Sequence, residues 1–513
     1  MVSSPLQGAA GPATHPVTIA IDGGHPGPVV PDDFAGLSFE RGPLVAGDAG
    51  VSGNLFSPAD SSLVTLFRNL GLGSLRIGGA TVDQLIPAGT GTDGFTGIDN
   101  LFAFAAAAGV TVIYSLRLLS PAASPISDLQ AVNAQAAGHI WGRHRQQVSS
   151  FAIGNEPDWH SYHSCPGRPL DPAIYEEVAG VPGSAYPSYL AQWRSFADAV
   201  GAAAPGARLS GPDLGAYTSK TCTPDPGSGV PWTVQLARDE QDSGRIAEIT
   251  QHYYVGDNPG NTTAQQAISN MLSREWVNGT AIGTQPAATS DTTTYTPYRW
   301  LYDNNLAPVA AAGLRYRLTE SNDYLGGVKG ASDAYASALW ALDHLHWWAA
   351  HGAAGVNFHN RRGLVTATIV PDPGGGYAIN PKGYGIKAFT LGSAGQVKPV
   401  QIRNPGGVNL TAYCVGAAGE DYVTVINKAH GANAPDAAVT IVPPGPAAQA
   451  VQTMTLAGGQ RGDARGTRVT LGGATITGDT PWDGAWDTLP AGPRAGISLT
   501  VRATTAVIVK IRS

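Results

Sequence analysis

The amino-acid sequence predicts an α/β protein, a (β/α)8 TIM barrel followed by a C-terminal antiparallel β-sandwich domain. Three observations indicate this fold class. Strand-like and helical segments alternate from about residue 34 to about residue 395. The strand-like segments begin as nearly continuous apolar runs, as in parallel strands that are covered on both faces. After residue 395, short alternating strands follow one another with turns but no helices between them.

Eight strand-like segments support a closed barrel rather than an open, doubly wound sheet. They lie at residues 34–40, 74–79, 110–118, 148–156, 208–214, 246–254, 316–321 and 354–360. Helical periodicity fills the gaps, and the longest helical segment, 333–352, begins with Asp and ends with Gly.

We expect three parts along the chain. Residues 1–30 form an N-terminal segment whose "VTIAIDG" run (17–23) adds a strand to the β domain. Residues 31–395 form the catalytic barrel, and residues 396–513 form the β-sandwich domain.

Composition excludes several classes of partner. The chain has 513 residues, 13% of them charged, and a formal net charge of −7. A mildly acidic chain has no electrostatic reason to bind nucleic acid or an anionic membrane surface. No stretch approaches the roughly 20 apolar residues that a bilayer span needs. We therefore expect a soluble protein, monomeric, and secreted or periplasmic as a mature chain, with a cytoplasmic location left open.

The three cysteines leave at least one thiol unpaired in a monomer. Cys165 and Cys222 lie in Pro- and Gly-rich segments. Either these two form a disulfide, or they and Cys414 are three free thiols, and the sequence leaves both possibilities open. His160, His163 and Cys165 have ligand-like spacing but lack a fourth zinc ligand. We expect loop structure there, and no metal or cofactor.

Acidic residues end two of the predicted strands. The fourth strand ends in Asn155 and Glu156, and the seventh ends in Glu320. Functional residues of barrel enzymes cluster at the C-terminal ends of strands. Retaining glycosidases use one protonated and one ionised carboxyl group about 5–5.5 Å apart, and unequal burial separates the pKa values of such a pair. The alternative is a pair of helix-capping or salt-bridged glutamates.

Other polar and aromatic residues lie at or just beyond the ends of the first, second, fourth and sixth predicted strands. The Asn155 amide can bind a sugar hydroxyl, and Tyr254 can orient the nucleophile. The remaining candidate substrate contacts from this pattern are Glu40, Asp83, Trp159 and His252.

Two segments resemble a known enzyme family. "GNEPD" after the fourth strand and "RLTESNDYLGG" at the seventh are similar to clan A glycoside hydrolases, and specifically to glycoside hydrolase family 79. "GLSFE", "LRIGG", "QHYY", "SDAYASALWALD" and "GVNFH" extend the resemblance over most of the barrel. It implies a barrel with a β-sandwich and β-glucuronidase or heparanase-like activity. By the same resemblance, Glu156 is the acid/base, Glu320 is the nucleophile, and Tyr324 lies beside a uronate carboxylate.

The sequence departs from that family after the eighth strand. A Gly-rich stretch with a second carboxylate-binding tyrosine is replaced by "NFHNRRGLVTAT". Either Arg361 or Arg362 binds the carboxylate in a bidentate manner, or the site accepts a neutral sugar instead. We expect that an arginine binds the carboxylate. Ala80 is a second departure, because a polar side chain is usual in the family at that position.

These observations predict a retaining exo-β-glycosidase, specifically a β-D-glucuronidase, that acts on a carbohydrate or glycoside by double displacement without a cofactor. One alternative is a same-clan retaining β-glycosidase for a neutral sugar or disaccharide glycone. Another is a catalytically silent carbohydrate-binding protein, against which the presence of both glutamates argues.

Overall fold

The computed structural model describes most of the barrel and of the β domain. The described residues are 13–44, 55–84, 95–118, 126–160, 185–215, 230–257, 259–260, 262–285, 293–417, 419–445, 449–489 and 496–512. Cys165, Cys222 and His163 lie outside them, as do the side chains of Trp159 and His160. Cys414 is buried and carries a free thiol.

Twelve of the described strands lie in the first 359 residues of the chain, and eight of them form the barrel. In chain order they are β1 (Thr14–Ile21), β2 (Val29–Val30), β3 (Ala35–Glu40), β4 (Ser74–Gly78), β5 (Thr111–Leu116), β6 (Val148–Ile153), β7 (Leu209–Leu214), β8 (Ile246–Gly256), β9 (Gly283–Gln285), β10 (Thr293–Tyr295), β11 (Tyr316–Tyr324) and β12 (Gly355–His359). Strands β3 to β8, β11 and β12 pair in parallel, and the β12–β3 pairing closes the ring. The predicted (β/α)8 barrel is confirmed.

Helices cover the outside of this barrel. They are α1 (Ser61–Leu70), α2 (Thr81–Gln84), α3 (Thr96–Ala108), α4 (Ile126–His144), α5 (Pro157–His160), α6 (Ala185–Ala203), α7 (Trp232–Glu240), α8 (Ala264–Met271), α9 (Glu275–Asn278), α10 (Tyr298–Leu301), α11 (Ala307–Ala311), α12 (Tyr335–Ala350) and α13 (Lys382–Gly392). In α1, Asp60 accepts a hydrogen bond from the Leu63 amide, and left-handed Gly71 ends the helix. Among the described helices, none is both long and apolar enough to cross a bilayer.

The remaining strands form a hairpin and the β domain. They are β13 (Ile369–Pro371), β14 (Tyr377–Ile379), β15 (Gly395–Lys398), β16 (Val400–Arg403), β17 (Leu410–Ala417), β18 (Glu420–Asn427), β19 (Asp436–Val442), β20 (Ala450–Ala457), β21 (Thr470–Leu471), β22 (Asp487–Leu489), β23 (Ile497–Val501) and β24 (Thr505–Arg512). One sheet has the order β16-β1-β19-β23, and the larger sheet runs from β2 through β15, β17, β18, β24 and β20 to β21. Strand β1 is parallel to β19, so the domain is not purely antiparallel as the sequence predicts.

A buried ion pair connects the barrel to the β domain. Asp343 lies on α12, and its Oδ2 is 2.7 Å from the Lys428 ammonium, just beyond β18. Its Oδ1 accepts hydrogen bonds of 2.7 Å from Thr411 and Tyr413 on β17. Both charged groups are removed from water, so each depends on the other for its compensation.

We predict that Asp343→Asn destabilises the protein by about 3–5 kcal/mol, because it leaves the Lys428 ammonium buried without a counter-charge. Denaturant unfolding of wild type and variant measures the difference. Asp303→Asn is the matched control, since its partner Arg299 and the carboxylate itself are both largely exposed. An unfolding free energy equal to that of the control variant would contradict the assigned role.

Candidate active site

The C-terminal ends of the barrel strands converge on two glutamates. Glu320 lies on β11, Glu156 lies three residues beyond the end of β6, and His252 lies between them on β8. One oxygen of each glutamate and one nitrogen of His252 all lie within 4.8 Å of one another. The structure therefore brings together the two acids that the sequence places at separate strand ends.

Glu320 is surrounded by basic side chains and a hydroxyl donor. Its Oε2 is 3.0 Å from Arg76 Nη1 and 3.7 Å from His252 Nδ1. Its Oε1 accepts a 2.5 Å hydrogen bond from the Tyr254 hydroxyl and lies 3.4 Å from His359 Nδ1. Burial alone raises the pKa of this carboxyl, but His359, His252, Arg76 and Tyr254 together lower it to about 2. Glu320 is consequently ionised at neutral pH.

Tyr254 keeps its proton and acts as a donor. Burial raises the pKa of its hydroxyl well above the usual value, and the negative charge of nearby Glu320 raises it further. The hydroxyl is therefore fixed as a hydrogen-bond donor to Glu320.

We predict that Tyr254→Phe shifts the acidic limb of the kcat/KM profile upward by about one pH unit and lowers kcat about 10- to 100-fold. A hydrogen bond to a charged group contributes about 1.5–3 kcal/mol, and one pKa unit is about 1.4 kcal/mol. Losing the donor raises the pKa of Glu320, so a larger fraction is protonated and inactive at low pH. pH–rate profiles of both proteins test this, and an unshifted acidic limb would contradict it.

Glu156 has different surroundings from Glu320. Its Oε1 and His252 Nδ1 are hydrogen-bonded at 2.8 Å. Its side chain is 27% exposed, against 9% for Glu320, so it can exchange protons with solvent or substrate. Burial lowers the pKa of His252, but Glu320 and Glu156 outweigh that effect and raise it. The His252 imidazole therefore lies where it can share a proton with Glu156.

The backbone around Glu156 is strained. Glu156 has φ 46° and Asp213 has φ 54°, and these are two of the three non-glycine residues with positive φ in the described ranges. The Glu156 amide donates a 2.9 Å hydrogen bond to the Asp213 carbonyl. Such conformations cost about 1–3 kcal/mol each and persist where the surroundings enforce them. Here they aim the Glu156 carboxyl toward Glu320.

A buried arginine links Glu320 to Asp213 and Asn155. Arg76 on β4 forms a 2.8 Å ion pair with Asp213 and donates a 2.8 Å hydrogen bond to Asn155 Oδ1. Thr319 donates to the other Asp213 oxygen at 2.6 Å. The bond from Arg76 uses the oxygen of Asn155, so the amide NH2 is the group left to donate to a sugar hydroxyl, as predicted for Asn155.

The two glycines of "RIGG" make room for these charges. A Cβ on Gly78 would lie 2.4 Å from the Arg76 guanidinium carbon. A Cβ on Gly79, which has φ 72°, would lie 2.3 Å from a Glu40 carboxylate oxygen. No side chain is tolerated at either position without displacing a charged group of the site.

Glu40 lies on the other side of the His359 imidazole from Glu320. Its Oε2 accepts hydrogen bonds from the Thr81 amide at 3.0 Å and hydroxyl at 2.8 Å. Its Oε1 is 3.8 Å from His359 Nε2, and the other nitrogen of that imidazole faces Glu320. A direct sugar contact by Glu40 remains a prediction.

Tyr324 and Asp83, two of the predicted substrate contacts, have hydrogen-bond partners within the protein. Tyr324 is fully buried, its ring centroid lies 5.2 Å from that of Trp276, and its hydroxyl accepts a 3.0 Å hydrogen bond from Asn270. Asp83 accepts a 2.8 Å hydrogen bond from the Leu118 amide. Tyr324 packs under α8 and α9, and Asp83 anchors the backbone after β5. A direct substrate contact by either residue stays a prediction.

Arg361 and Arg362 lie on the rim formed by the segment after β12, and both are exposed. Asn360 anchors this segment, because its side chain bonds to the backbone of Thr368 and Ile369 at 2.7–3.0 Å. Within the described residues, neither arginine forms an ion pair. The predicted stacking role of Trp159 involves a side chain outside the described part.

Three ionisable groups of the site were not predicted from the sequence: Arg76, Asp213 and His359. All three lie within the strand segments that it had already identified. A buried charge in an otherwise apolar strand was the available signal, because such a charge requires a partner.

The fold is shared with known glycoside hydrolases. A 4-O-α-L-rhamnosyl-β-D-glucuronidase from Fusarium oxysporum aligns with TM-score 0.65 and 16% identity over 96% of this chain and 99% of that one. A family 51 arabinofuranosidase from Xanthomonas axonopodis pv. citri aligns with TM-score 0.63 and 15% identity over 97% and 100%. A family 44 xyloglucanase from Paenibacillus polymyxa aligns with TM-score 0.60 and 13% identity over 97% and 100%.

These similarities show a common fold. No protein-family model matches the sequence, and no curated protein matches it either.

Proposed function

We propose that this chain is a retaining glycoside hydrolase. The observation that carries the proposal is the approach of the two glutamates, whose nearest ligand oxygens lie within 4.8 Å. Retaining enzymes hold their carboxyl groups about 5–5.5 Å apart, whereas inverting enzymes separate them by about 6.5–9.5 Å to admit a water molecule. So close an approach favours the retaining arrangement, in which one of the two acids attacks the sugar itself.

The surroundings of each glutamate assign its role. Glu320 is ionised and held by Arg76 and Tyr254, so it is the nucleophile that forms a bond to the anomeric carbon. Glu156, which is more open to solvent, gives its proton to the leaving oxygen as the glycosidic bond breaks. In the second step Glu156 takes a proton from water, and the resulting hydroxyl displaces Glu320 from the sugar.

A β-D-glucuronoside is the proposed substrate. Arg361 and Arg362 are exposed, and neither forms an ion pair within the described residues. They lie two and three residues beyond His359, which contacts Glu320. A carboxylate at C5 of the sugar offers the planar partner that a guanidinium binds in a bidentate manner. A structurally similar protein is described as a rhamnosyl-glucuronidase bound to Rha-GlcA, which is consistent with a uronate in this type of barrel.

A neutral glycone is the second candidate. Several structures of similar fold are described as arabinofuranosidases. Arg361 and Arg362 are exposed, whereas Arg76, the arginine that contacts Glu320, is buried. A site that recognises only hydroxyl groups would leave Arg361 and Arg362 without a role in binding.

Hydrolysis of p-nitrophenyl β-D-glucuronide, β-D-glucoside and α-L-arabinofuranoside tests the proposal. We expect turnover of the glucuronide, and an increase in its KM of about tenfold or more in the Arg361→Gln or Arg362→Gln variant, since bonds to charged groups contribute about 1.5–3 kcal/mol. Arg403→Gln, which removes an exposed arginine from β16, is the matched control. Preference for a neutral glycoside would contradict the proposed β-D-glucuronoside substrate and support a neutral glycone. Absence of turnover on all glycosides, including longer ones, would overturn the hydrolase itself.

A further inference from the structure

A second cluster of ligand-type side chains lies on the outer helices. Asp99 is on α3, and His139 and His144 are on α4. His139 Nε2 lies 2.7 Å and His144 Nε2 lies 2.8 Å from the same oxygen, Asp99 Oδ1. The three ligand atoms lie within 4.8 Å of one another, and none belongs to the candidate active site.

The local structure directs both imidazole rings at one point. The Phe95 ring stacks on His139 with centroids 3.9 Å apart, and the Phe102 ring stacks on His144 at 5.1 Å. Residues five apart do not share a face of a regular helix. His144, however, has φ −130° and ψ 15° at the end of α4, and this departure from helical geometry accompanies its approach to Asp99.

We propose that Asp99, His139 and His144 bind a divalent transition-metal ion, with Zn²⁺ as the ion we would test. Two imidazole nitrogens and one carboxylate oxygen form a zinc ligand set, and three protein ligands leave a fourth position for water. The side chains are 16%, 19% and 36% exposed for His139, His144 and Asp99, so solvent can reach that position.

The ligands need only a small rearrangement. Zinc bonds of about 2.0–2.2 Å in a tetrahedral site place ligand atoms roughly 3.3–3.5 Å apart, somewhat farther than the observed hydrogen-bond distances. Each imidazole then presents its lone pair at Nε2 and carries its proton on Nδ1. The Arg143 guanidinium, 3.7 Å from Asp99 Oδ2, is largely exposed and can move into solvent.

Binding at this site would connect α3 to α4. The ligands come from two helices that are brought together only in the folded chain. An ion bound there therefore stabilises the folded state in proportion to its affinity.

Titration of the metal-free full-length protein with Zn²⁺ by calorimetry, with melting curves in parallel, tests the proposal. We expect an increase in Tm with Zn²⁺, and a loss of affinity of at least about tenfold for His139→Gln and for His144→Gln. His25→Gln is the matched control, because His25 pairs with Asp22 on the surface without a second imidazole, and it should bind as wild type does.

Asp99→Asn keeps a hydrogen-bond acceptor for both imidazoles, so it provides the test if a histidine variant fails to fold. It should weaken Zn²⁺ binding while the metal-free Tm stays near that of wild type. Wild-type protein that binds no Zn²⁺ would overturn the proposal. So would binding that survives all three substitutions, because the ion would then occupy another group of ligands.

Discussion

Replacing Glu320 with glutamine should reduce kcat on every hydrolysed glycoside by roughly 10⁴-fold or more, the scale of loss found when a nucleophile is removed. The amide has nearly the same shape and its oxygen still accepts the hydrogen bond from Tyr254, so the barrel should fold normally. What is lost is the ionised oxygen that lies against Arg76, His252 and His359 and that, under the proposed function, attacks the anomeric carbon.

The companion variant Glu156→Gln separates the two roles. Without the acid, substrates with poor leaving groups should slow far more than aryl glycosides, whose leaving groups need little protonation. Glu275→Gln, on the exposed surface of α9, is the control and should leave kcat unchanged. Glu320→Gln protein that retains more than a small fraction of wild-type activity would contradict the assignment of the nucleophile.

Replacing Arg76 with methionine should affect stability and catalysis together. The guanidinium is fully buried and bonds to Asp213, Glu320, Asn155 and Ser38. Its removal leaves Asp213 buried without its strongest counter-charge, at a cost of about 3–5 kcal/mol. It also removes one of the charges that lower the pKa of Glu320, so the acidic limb of the rate profile should move to higher pH.

A double substitution distinguishes these two effects. Adding Asp213→Asn to Arg76→Met removes the uncompensated buried charge and should recover much of the lost unfolding free energy. It should not restore the acidic limb, because Glu320 still lacks its cationic neighbour. Recovery of both would mean that Arg76 acts on catalysis only through the fold, and a stable Arg76→Met single variant would show that Asp213 does not need this partner.

The barrel could be predicted because parallel strands covered on both faces leave a direct record in the sequence. Each of the eight predicted segments overlaps an observed barrel strand, from β3 to β12. Glu156 and Glu320 could be found for a related reason, since carboxylates at the ends of apolar strands are uncommon without a function. The parallel pairing of β1 with β19 could not be predicted, because alternation shows which residues face inward but not which strands are neighbours.

Side-chain contacts that cross the barrel could not be predicted from the sequence. Arg76 reaches Asp213 across 137 residues and Glu320 across 244, so neither pairing leaves a spacing motif. Tyr324 stands four residues beyond Glu320, and its burial depends on Trp276 and Asn270 in the long connection after β8. The Asp99 cluster was missed for the same reason, since its histidines lie 40 and 45 residues away along the chain.

The central claim is that the reaction proceeds through two displacements at the anomeric carbon, made possible by the short separation of Glu156 and Glu320. Proton NMR of the reaction mixture during the first minutes of hydrolysis tests it most directly, because the first sugar released still carries its original anomeric configuration before mutarotation. We expect a β-glycoside to release the β-anomer first. Initial release of the α-anomer would show a single displacement and contradict the assignment of Glu320 as the nucleophile.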